Sequence, residues 1–350
     1  LIIYGTSNPT PWFDWAPAAD GEKGFRRSDR VGARPGDNLY ASSVVALNPD
    51  TGELKWHFQE HPHDDWDFDS TLGEFVLIDQ GAKKLAVHQA KSGFVYVYDR
   101  TNGKIENVWT INKHVTFVKT VDPKTGQLIG RNPPATSEGH MFCPSMNGGR
   151  SWNAGSYNPD TKLWYNSRQE LCTVAKTRPE KPQLEPLPNW YAGADISHVA
   201  PPNDVVHGAL DAWDPLTGKK KWSVHDKYPR LSGVLSTKGR VVFSGDMRGR
   251  VYGYDADSGK TLWSFNTGSG IRGGIVTYAA KGEQYVLVPS GIGSHVFFGL
   301  AEAMPETKDF PPGATLFAFK LPSKAGAHSA AVHQKTNKRV QTSSLQKNEH

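Results

Sequence analysis

The 350-residue sequence has only two cysteines, Cys143 and Cys172, and no run of 18 apolar residues. Two thiols alone cannot form a zinc site; they could form one disulfide, which would suit an exported protein, or stay two buried free thiols. No segment is predicted to span a membrane. The net charge is only +5, with much of the excess near the C-terminus, so nucleic acid is not an expected partner.

Turn residues, in contrast, are abundant. The 35 glycines and 24 prolines separate short apolar runs, which favours many turns and short strands. Residues 239–246, 285–290 and 315–321 are examples of such runs, and no convincing long amphipathic helix is found. These features predict an all-β fold.

A repeat of strand, tight turn and strand recurs along the chain. Its turn has the form Asp-x-x-Thr/Ser-Gly, in which glycine can adopt a positive φ and the polar residues bond the local backbone. A tryptophan follows on the next strand. The copies cover residues 45–56, 95–109, 156–164 (without the glycine), 210–222 and 251–263.

The tryptophans of these copies are separated by 53, 55, 58 and 41 residues, which is room for about four short strands and their loops. That spacing is typical of β-propeller blades, whereas a β-sandwich would need five Thr-Gly turns to arise by chance. Residues 1–322 are predicted to form a partial propeller, with excursions at 111–143 and 173–204. Residues 323–350, poor in aromatic residues, are predicted to form a flexible basic tail.

Residues 61–69 contain four aspartates, Asp64, Asp65, Asp67 and Asp69, interrupted by two aromatic residues. Carboxylates beside aromatic rings suggest a partly buried acidic site, and buried charges require a cation or a proton for compensation. A hard metal ion bound through oxygen is the natural candidate. The alternative is a polar loop whose aspartates only stabilise turns.

Several motifs, in the same order, resemble the pyrroloquinoline quinone (PQQ)-dependent alcohol dehydrogenases, the methanol and ethanol dehydrogenase family. The repeat is similar to that family's tryptophan-docking motif, and residues 5–12 read Gly-x-x-Asn-x-x-Pro-Trp as in the family. Residues 35–40, 63–67 and 91–96 resemble its next segments, and Cys143 and Cys172 resemble a disulfide pair of the family. The resemblance implies an eight-bladed propeller, of which this chain would cover five to six blades in the C-terminal part.

The resemblance also implies roles for individual residues. Asn8 and Asp67 would bind a metal ion, Asp67 would act as general base, and Lys91 would donate to the quinone oxygens. Taken alone, Asn8 would be a turn residue and Lys91 a solvated surface charge. Further predicted cofactor contacts are Ser151, Trp152 and His295, of which His295 could instead only fill a loop.

Asp69 bears on the identity of the metal. Family members that use lanthanides carry a second aspartate two positions after the catalytic one, and calcium enzymes carry a small uncharged residue there. Residues i and i+2 of an extended segment point the same way, so Asp67 and Asp69 could face one ion. The extra carboxylate favours a trivalent lanthanide over Ca²⁺.

The sequence also departs from the family. The glutamate ligand, the adjacent-cysteine ring and a supporting tryptophan are expected upstream of Leu1, which suggests a fragment. Ser151 replaces an asparagine, Leu231 an aromatic residue, and residues 293–295 a Gly-Gly-Trp segment. These changes leave the quinone contacts and the substrate preference open.

The resemblance implies periplasmic oxidation of a primary alcohol to an aldehyde, by hydride transfer to metal-bound PQQ. Because no Cys-x-x-Cys-His occurs, the chain is predicted to carry no c-type haem of its own, and a separate soluble cytochrome c-type acceptor is expected. The formation of a homodimer is a further prediction. Two alternatives remain. One is a non-catalytic propeller that acts as a binding scaffold, as in outer-membrane assembly lipoproteins, and the other is a polyol or sugar dehydrogenase.

Overall fold

The computed structural model describes residues 1–9, 15–17, 25–27, 34, 36–132, 135, 138–177, 194–293 and 295–321. Nearly all of its regular structure is β-strand, which confirms the all-β prediction. Residues 323–350, the predicted tail, lie outside the described residues.

The strands are short and alternate with turns. In chain order they are β1 (Ile2–Gly5), β2 (Trp15–Pro17), β3 (Phe25–Arg27), β4 (Ser43–Leu47), β5 (Leu54–Gln59), β6 (Phe75–Gln80), β7 (Lys83–Gln89), β8 (Phe94–Asp99), β9 (Ile105–Thr110), β10 (Val118–Val121), β11 (Leu128–Arg131), β12 (His140–Phe142), β13 (Ser156–Asn158), β14 (Leu163–Gln169), β15 (Cys172–Thr177), β16 (Ala194–Val199), β17 (Gly208–Trp213), β18 (Lys220–Asp226), β19 (Leu235–Ser236), β20 (Val241–Gly245), β21 (Arg250–Asp255), β22 (Thr261–Asn266), β23 (Val276–Ala280), β24 (Glu283–Ser290) and β25 (Thr315–Lys320).

Five antiparallel sheets of the described residues follow one another along the chain as propeller blades. Their strand orders are β1-β4-β5, β6-β7-β8-β9, β13-β14-β17-β18, β19-β20-β21-β22 and β23-β24-β25. Apolar clusters fill the spaces between neighbouring blades; Val95 and Val97 of the second blade, for example, share one with Trp164 and Trp213 of the third. The described residues thus form five blades, which agrees with the prediction of five to six.

The two excursions form sheets of their own. β10 pairs with β11, and β15 pairs with both β12 and β16, outside the blades. Cys143, just after β12, is joined by a disulfide to Cys172 at the start of β15. The disulfide alternative is thus the one that the structure contains. A nine-residue helix, α1 (His295–Ala303), and a 3₁₀ helix (Pro305–Asp309) lie between β24 and β25 and were not predicted.

The repeat joins neighbouring blades through its tryptophan. Trp56 of the first blade donates to the carbonyl of Arg100, 3.0 Å away, and its ring lies over Gly103 in the turn of the second blade. A Cβ atom on Gly103 would come within 2.6 Å of that ring, and the residue has φ +76°. Both the close approach and the positive φ require glycine here. Trp109 and Trp222 dock in the same way, on Gly218 and Gly259.

One copy of the repeat does not mark a blade of its own. Trp164 lies on β14, the second strand of the blade whose fourth strand carries Trp222. Its turn holds Lys162 at φ +57° where the other copies hold glycine. The blade count of five stays the same because the fifth blade, β23–β25, lacks a copy.

Successive strands of an antiparallel sheet connect at alternating ends, so the connections fall on two faces. The face called here the turn face carries the docking turns, at residues 48–53, 99–104, 214–219 and 255–260. The opposite face, called here the loop face, carries the longer connections, at residues 6–42, 60–74, 90–93, 111–155, 170–207, 227–234, 246–249, 267–275 and 291–314.

Candidate active site

Every residue predicted for the site belongs to the loop face. The predicted residues come from five different connections of that face, although up to 287 positions separate them in the sequence. They are Asn8, Asp67, Asp69, Lys91, Ser151, Trp152 and His295.

Two of the aspartates meet the predicted lysine. Lys91 Nζ lies 2.9 Å from Asp67 Oδ2 and 2.8 Å from Asp69 Oδ1. Burial by itself would lower the pKa of Lys91, but the two carboxylates raise it above its ordinary value, so the ammonium stays charged. Asp67 is the more exposed of the two acids, with 23% of its side chain accessible against 12% for Asp69. Asp67 can therefore meet a ligand that enters from solvent.

Aromatic residues anchor the loop that carries these acids. Trp66 and Phe68 are fully buried, and both pack against Phe117. Asp67 lies between them with φ +65°, a backbone conformation that an L-residue adopts only when its surroundings impose it. The alternation of buried ring and acid thus turns Asp67 and Asp69 away from the core.

The buried carboxylate of Asp64 stabilises the backbone conformation around Asp67. The carboxylate accepts the backbone N–H of Trp66 at 2.9 Å and that of Phe68 at 2.8 Å, the two residues that flank Asp67. Burial raises the pKa of Asp64 to about 7. Asp65 is also buried and lies 2.9 Å from Arg34. Two of the four aspartates therefore stabilise the loop, and two face the site.

A second set of buried contacts, centred on Glu60, also supports the acidic loop and was not predicted from the sequence. Glu60 is fully buried and accepts hydrogen bonds from Ser70 (2.5 Å), His88 (2.8 Å) and Tyr98 (2.7 Å). Burial alone would raise the pKa of Glu60, but His88, His61 and Ser70 lower it below its ordinary value. His61 lies 2.8 Å from Ser92. Ser70, which Glu60 binds, follows Asp69, and Ser92, which His61 contacts, follows Lys91. Glu60 and His61 therefore fix the backbone on both sides of the ion pair between Asp69 and Lys91. No local signal marks Glu60, because its partners are distant in sequence.

The contacts of the other predicted residues are less direct. Asn8 follows a segment bonded to the acidic loop, in which the carbonyl of Thr6 accepts the N–H of Ser70 at 3.0 Å. The amide oxygen of Asn8 accepts a hydrogen bond from Ser7. The described contacts thus place Asn8 beside the loop, whereas Asp67, Asp69 and Lys91 touch one another.

Ser151 and Trp152 lie on the connection next to Lys91, because Gly149 donates its N–H to the carbonyl of Lys91 at 2.8 Å. Ser151 is buried, and 59% of Trp152 is exposed, so this ring is available to a ligand. His295 begins α1, but its side chain lies outside the described residues.

The donor set fits a hard cation. Carboxylate and amide oxygens are the ligands that such ions prefer, and two carboxylates outnumber the single ammonium between them. Among the residues that the structure describes, no group of three or more His, Cys, Asp or Glu side chains is placed to hold a metal ion. A metal would therefore also draw on groups such as the Asn8 amide.

Comparison with known proteins gives a consistent assignment. A family model for the β-propeller domain of glucose, ethanol and alcohol dehydrogenases matches residues 24–124, and one for the outer membrane protein assembly factor BamB matches residues 206–291. The chain is 36% identical to quinoprotein alcohol dehydrogenase PedH of Pseudomonas putida KT2440 over 335 residues, which is 93% of this chain and 53% of PedH.

Two further relatives agree. The chain is 34% identical to 1-butanol dehydrogenase (cytochrome c) of Thauera butanivorans, over 92% of this chain and 47% of that protein. A solved europium-containing methanol dehydrogenase superposes with a TM-score of 0.76 at 26% identity, over 91% of this chain and 57% of the other. The chain thus spans about half the length of the curated relatives that it matches.

The tryptophan-docked blades and the matched relatives together define a propeller of the quinoprotein type. The chain belongs to the PQQ-dependent alcohol and methanol dehydrogenase family. The region matched to BamB includes the docking turns of the third and fourth blades but none of Asp67, Asp69 and Lys91, so that match reflects the shared repeat.

In the described part of the chain, there is no helix that is both long enough and apolar enough to cross a bilayer.

Proposed function

We propose that this protein oxidises primary alcohols to aldehydes with PQQ as cofactor, and that Asp67 is the general base. The observation that carries the proposal is the convergence of Asp67 and Asp69 on Lys91 at the loop face. A partly exposed carboxylate held beside a buried ammonium can accept a proton from an alcohol that enters from solvent. When bound, PQQ supplies a hydride acceptor, and the metal ion supplies Lewis-acid polarisation.

The residues of this chain would divide the remaining work. Asp67 would accept the hydroxyl proton as the carbon–hydrogen bond breaks, so the alcohol would lose a proton and a hydride in all. Lys91, kept charged by its two acids, would stabilise negative charge that develops on a neighbouring oxygen. Trp152, which is exposed, would offer an apolar surface to the cofactor. Ser151 and His295 stay predicted contacts.

Replacement of Asp67 tests the assignment. The full-length protein, loaded with PQQ and with La³⁺ or Ca²⁺, should reduce a dye in the presence of short alcohols. Asp67→Asn should lower turnover by about a thousandfold, because it removes the proton acceptor while keeping the shape of the side chain. Asp50→Asn, at an exposed docking turn, is the matched control and should keep full activity.

Wild-type protein that oxidises no alcohol with either ion would refute the proposal, as would Asp67→Asn with normal turnover. Glycerol and glucose in the same assay test the polyol and sugar alternative, which would predict higher kcat/KM for them than for ethanol. A scaffold would show no turnover with any of these substrates.

For the metal, we propose a lanthanide held by Asn8, Asp67 and Asp69, with Ca²⁺ as the alternative. The second carboxylate adds negative charge that matches a trivalent ion better than a divalent one. Protein from cells grown with both La³⁺ and Ca²⁺ should contain La³⁺, and Asp69→Ala should shift the bound metal toward Ca²⁺. Wild-type protein that takes up only Ca²⁺, and is active with it, would contradict this proposal.

A periplasmic location and a soluble cytochrome c-type acceptor are proposed with the same function. The disulfide between Cys143 and Cys172 supports an oxidising compartment, and the relative named 1-butanol dehydrogenase (cytochrome c) supports the acceptor. The homodimer stays a prediction.

A further inference from the structure

One arginine of the loop face is partly buried and has no counter-charge among the described residues. Arg272 lies in the connection between β22 and β23, and its Nε atom is buried with no hydrogen-bond partner. Among the described residues, no acidic group forms an ion pair with its guanidinium. Burial lowers the pKa of Arg272, and no neighbouring acid offsets this effect. Because buried charges in proteins are normally paired, this arrangement calls for a missing anion.

Two buried arginines, one in a loop-face connection and one near the end of β14, follow the usual pattern. Arg150 Nη2 lies 2.8 Å from Glu74 Oε2, and Arg168 Nε lies 2.6 Å from Asp211 Oδ2. Each of these guanidinium groups has its carboxylate within the chain. Arg272 has no such carboxylate among the described residues of this chain.

A cavity lies beside Arg272. Its volume is about 530 Å³, and no acidic side chain lines it. Glycines form much of its wall, and two of them allow close backbone packing: a Cβ atom on Gly291 would lie 2.3 Å from the carbonyl oxygen of Gly313, and one on Gly273 would lie 2.5 Å from Pro289. The cavity thus combines one positive charge with a wall that has few side chains.

Backbone hydrogen bonds connect this cavity to the candidate active site. Gly149 donates to Lys91 (2.8 Å), Val234 donates to Ala154 (2.9 Å), and Gly233 donates to Gly273 (3.2 Å). The connections that precede the third, fourth and fifth blades therefore form one continuous series, from Lys91 to Arg272.

We propose that Arg272 binds a carboxylate group of a ligand on the loop face. The planar guanidinium fork matches a carboxylate with two parallel hydrogen bonds, and the unpaired Nε is one of the required donors. Two ligands could bring this chemistry: the quinone cofactor, which carries carboxylates, or an alcohol that carries one, such as a hydroxy acid. The inference deepens the proposed function, on which it rests for the identity of these two ligands.

Equilibrium binding to the full-length protein distinguishes the two sources. Isothermal titration calorimetry would measure the affinity for PQQ and, separately, for 3-hydroxypropionate, with wild type, Arg272→Gln and Arg272→Lys. Arg250→Gln removes a charge from an exposed arginine of β21 and is the matched control. 3-Hydroxypropionamide, which has the same shape without the charge, controls for the ligand and needs no variant.

If the cofactor supplies the carboxylate, Arg272→Gln should weaken PQQ binding by about tenfold to a hundredfold, the range expected for hydrogen bonds to charged groups. If the substrate supplies it, PQQ binding should be unchanged and 3-hydroxypropionate binding should fall instead. Arg272→Lys should be intermediate, because it keeps the charge but loses the fork, and Arg250→Gln should match wild type.

Equal affinities of wild type and Arg272→Gln for both ligands would overturn the proposal. If Arg272→Gln does not fold, equal binding of 3-hydroxypropionate and its amide to wild type, together with unchanged PQQ affinity in Arg272→Lys, would overturn it. These measurements need no turnover, so they remain informative even if the alcohol dehydrogenase assay fails.

Discussion

The two faces of the propeller use the same residue type in opposite ways. On the turn face, Asp99 and Asp255 each begin a docking turn, and each accepts hydrogen bonds from a hydroxyl and a backbone N–H within three residues. The hydroxyl of Thr101 and that of Ser258 contribute most to lowering the pKa of these two carboxyl groups. Their role is the same each time the turn recurs.

On the loop face, four aspartates within six positions have different roles. Asp64 is buried with a raised pKa of about 7, Asp65 pairs with Arg34, and Asp67 and Asp69 share Lys91. The turn face is stabilised by local contacts that any copy can repeat. The loop face holds charges through contacts between distant segments, which suits a site where charge is needed for chemistry.

The largest effect expected from the comparison of the two faces concerns Lys91, the cation that Asp67 and Asp69 share on the loop face. Lys91→Met should lower kcat by about a hundredfold to a thousandfold, because it removes a positive group that is already in place for the developing charge. Lys104→Met, in an exposed docking turn, removes the same charge from the turn face and should leave kcat unchanged. Steady-state dye reduction measures both variants.

Lys91→Arg refines this test. Arginine keeps the positive charge but places it on a larger, planar group. Lys91→Arg should therefore retain more activity than Lys91→Met, with a circular dichroism spectrum like that of wild type. If Lys91→Met keeps kcat within threefold of wild type, Lys91 is only a structural partner of the two acids.

The difference between the faces also explains what the sequence could predict. The docking turns are local, so five residues suffice to recognise one, and the blades follow from their recurrence. Even so, the copy at Asp122–Gly126, between β10 and β11, was overlooked; there Gly126 has φ +72° and donates to Asp122 at 2.8 Å. It lies in an excursion, where no blade was expected.

The loop face was predictable only in part. Asp67, Asp69 and Lys91 were found through the resemblance of their flanking motifs, and the structure brings them together. Glu60 and Arg272 were missed. The first is recognised only by partners 10 to 38 residues away, and the second only by the lack of any partner. Neither property is visible in a local pattern.

A smaller effect should appear in the stability of the loop face at acidic pH. Burial lowers the pKa of His61 to about 4, from an ordinary value of 6.5. Below pH 6.5 the unfolded chain binds a proton at this position and the folded chain does not, so the contribution of His61 to stability falls as the pH drops from 6.5 toward 4. Asp64 contributes with the opposite sign over this range, because its raised pKa lets the folded chain bind a proton there before the unfolded chain does. His61 alone accounts for a loss on the order of 3 kcal/mol.

Urea unfolding at pH 7 and pH 5 measures most of this loss, about 2 kcal/mol from His61 over these two pH units. His61→Asn should lower stability at both values, since the bond to Ser92 changes, but should lower it by about 2 kcal/mol less at pH 5 than at pH 7. His57→Asn, at an exposed position of β5, should keep the wild-type difference. An unchanged difference in His61→Asn would show that other groups cause the acid sensitivity.

The smallest expected effect separates two glycines within the turn face. Gly52 and Gly259 have nearly the same backbone, with φ +72° and +71°, but a Cβ atom on Gly259 would come within 2.7 Å of the ring of Trp222, whereas one on Gly52 would meet nothing within 4 Å. Gly52→Ala should therefore cost only the strain of the left-handed conformation, about 1 kcal/mol.

Gly259→Ala should cost about 1–2 kcal/mol more, because the added methyl group must displace a docked ring. Chemical denaturation of the two variants gives the difference directly. Equal costs would mean that the Trp222 ring can shift at little expense, and that its hydrogen bond to the carbonyl of Ala256, at 3.0 Å, rather than the contact of the ring with glycine, joins the third blade to the fourth.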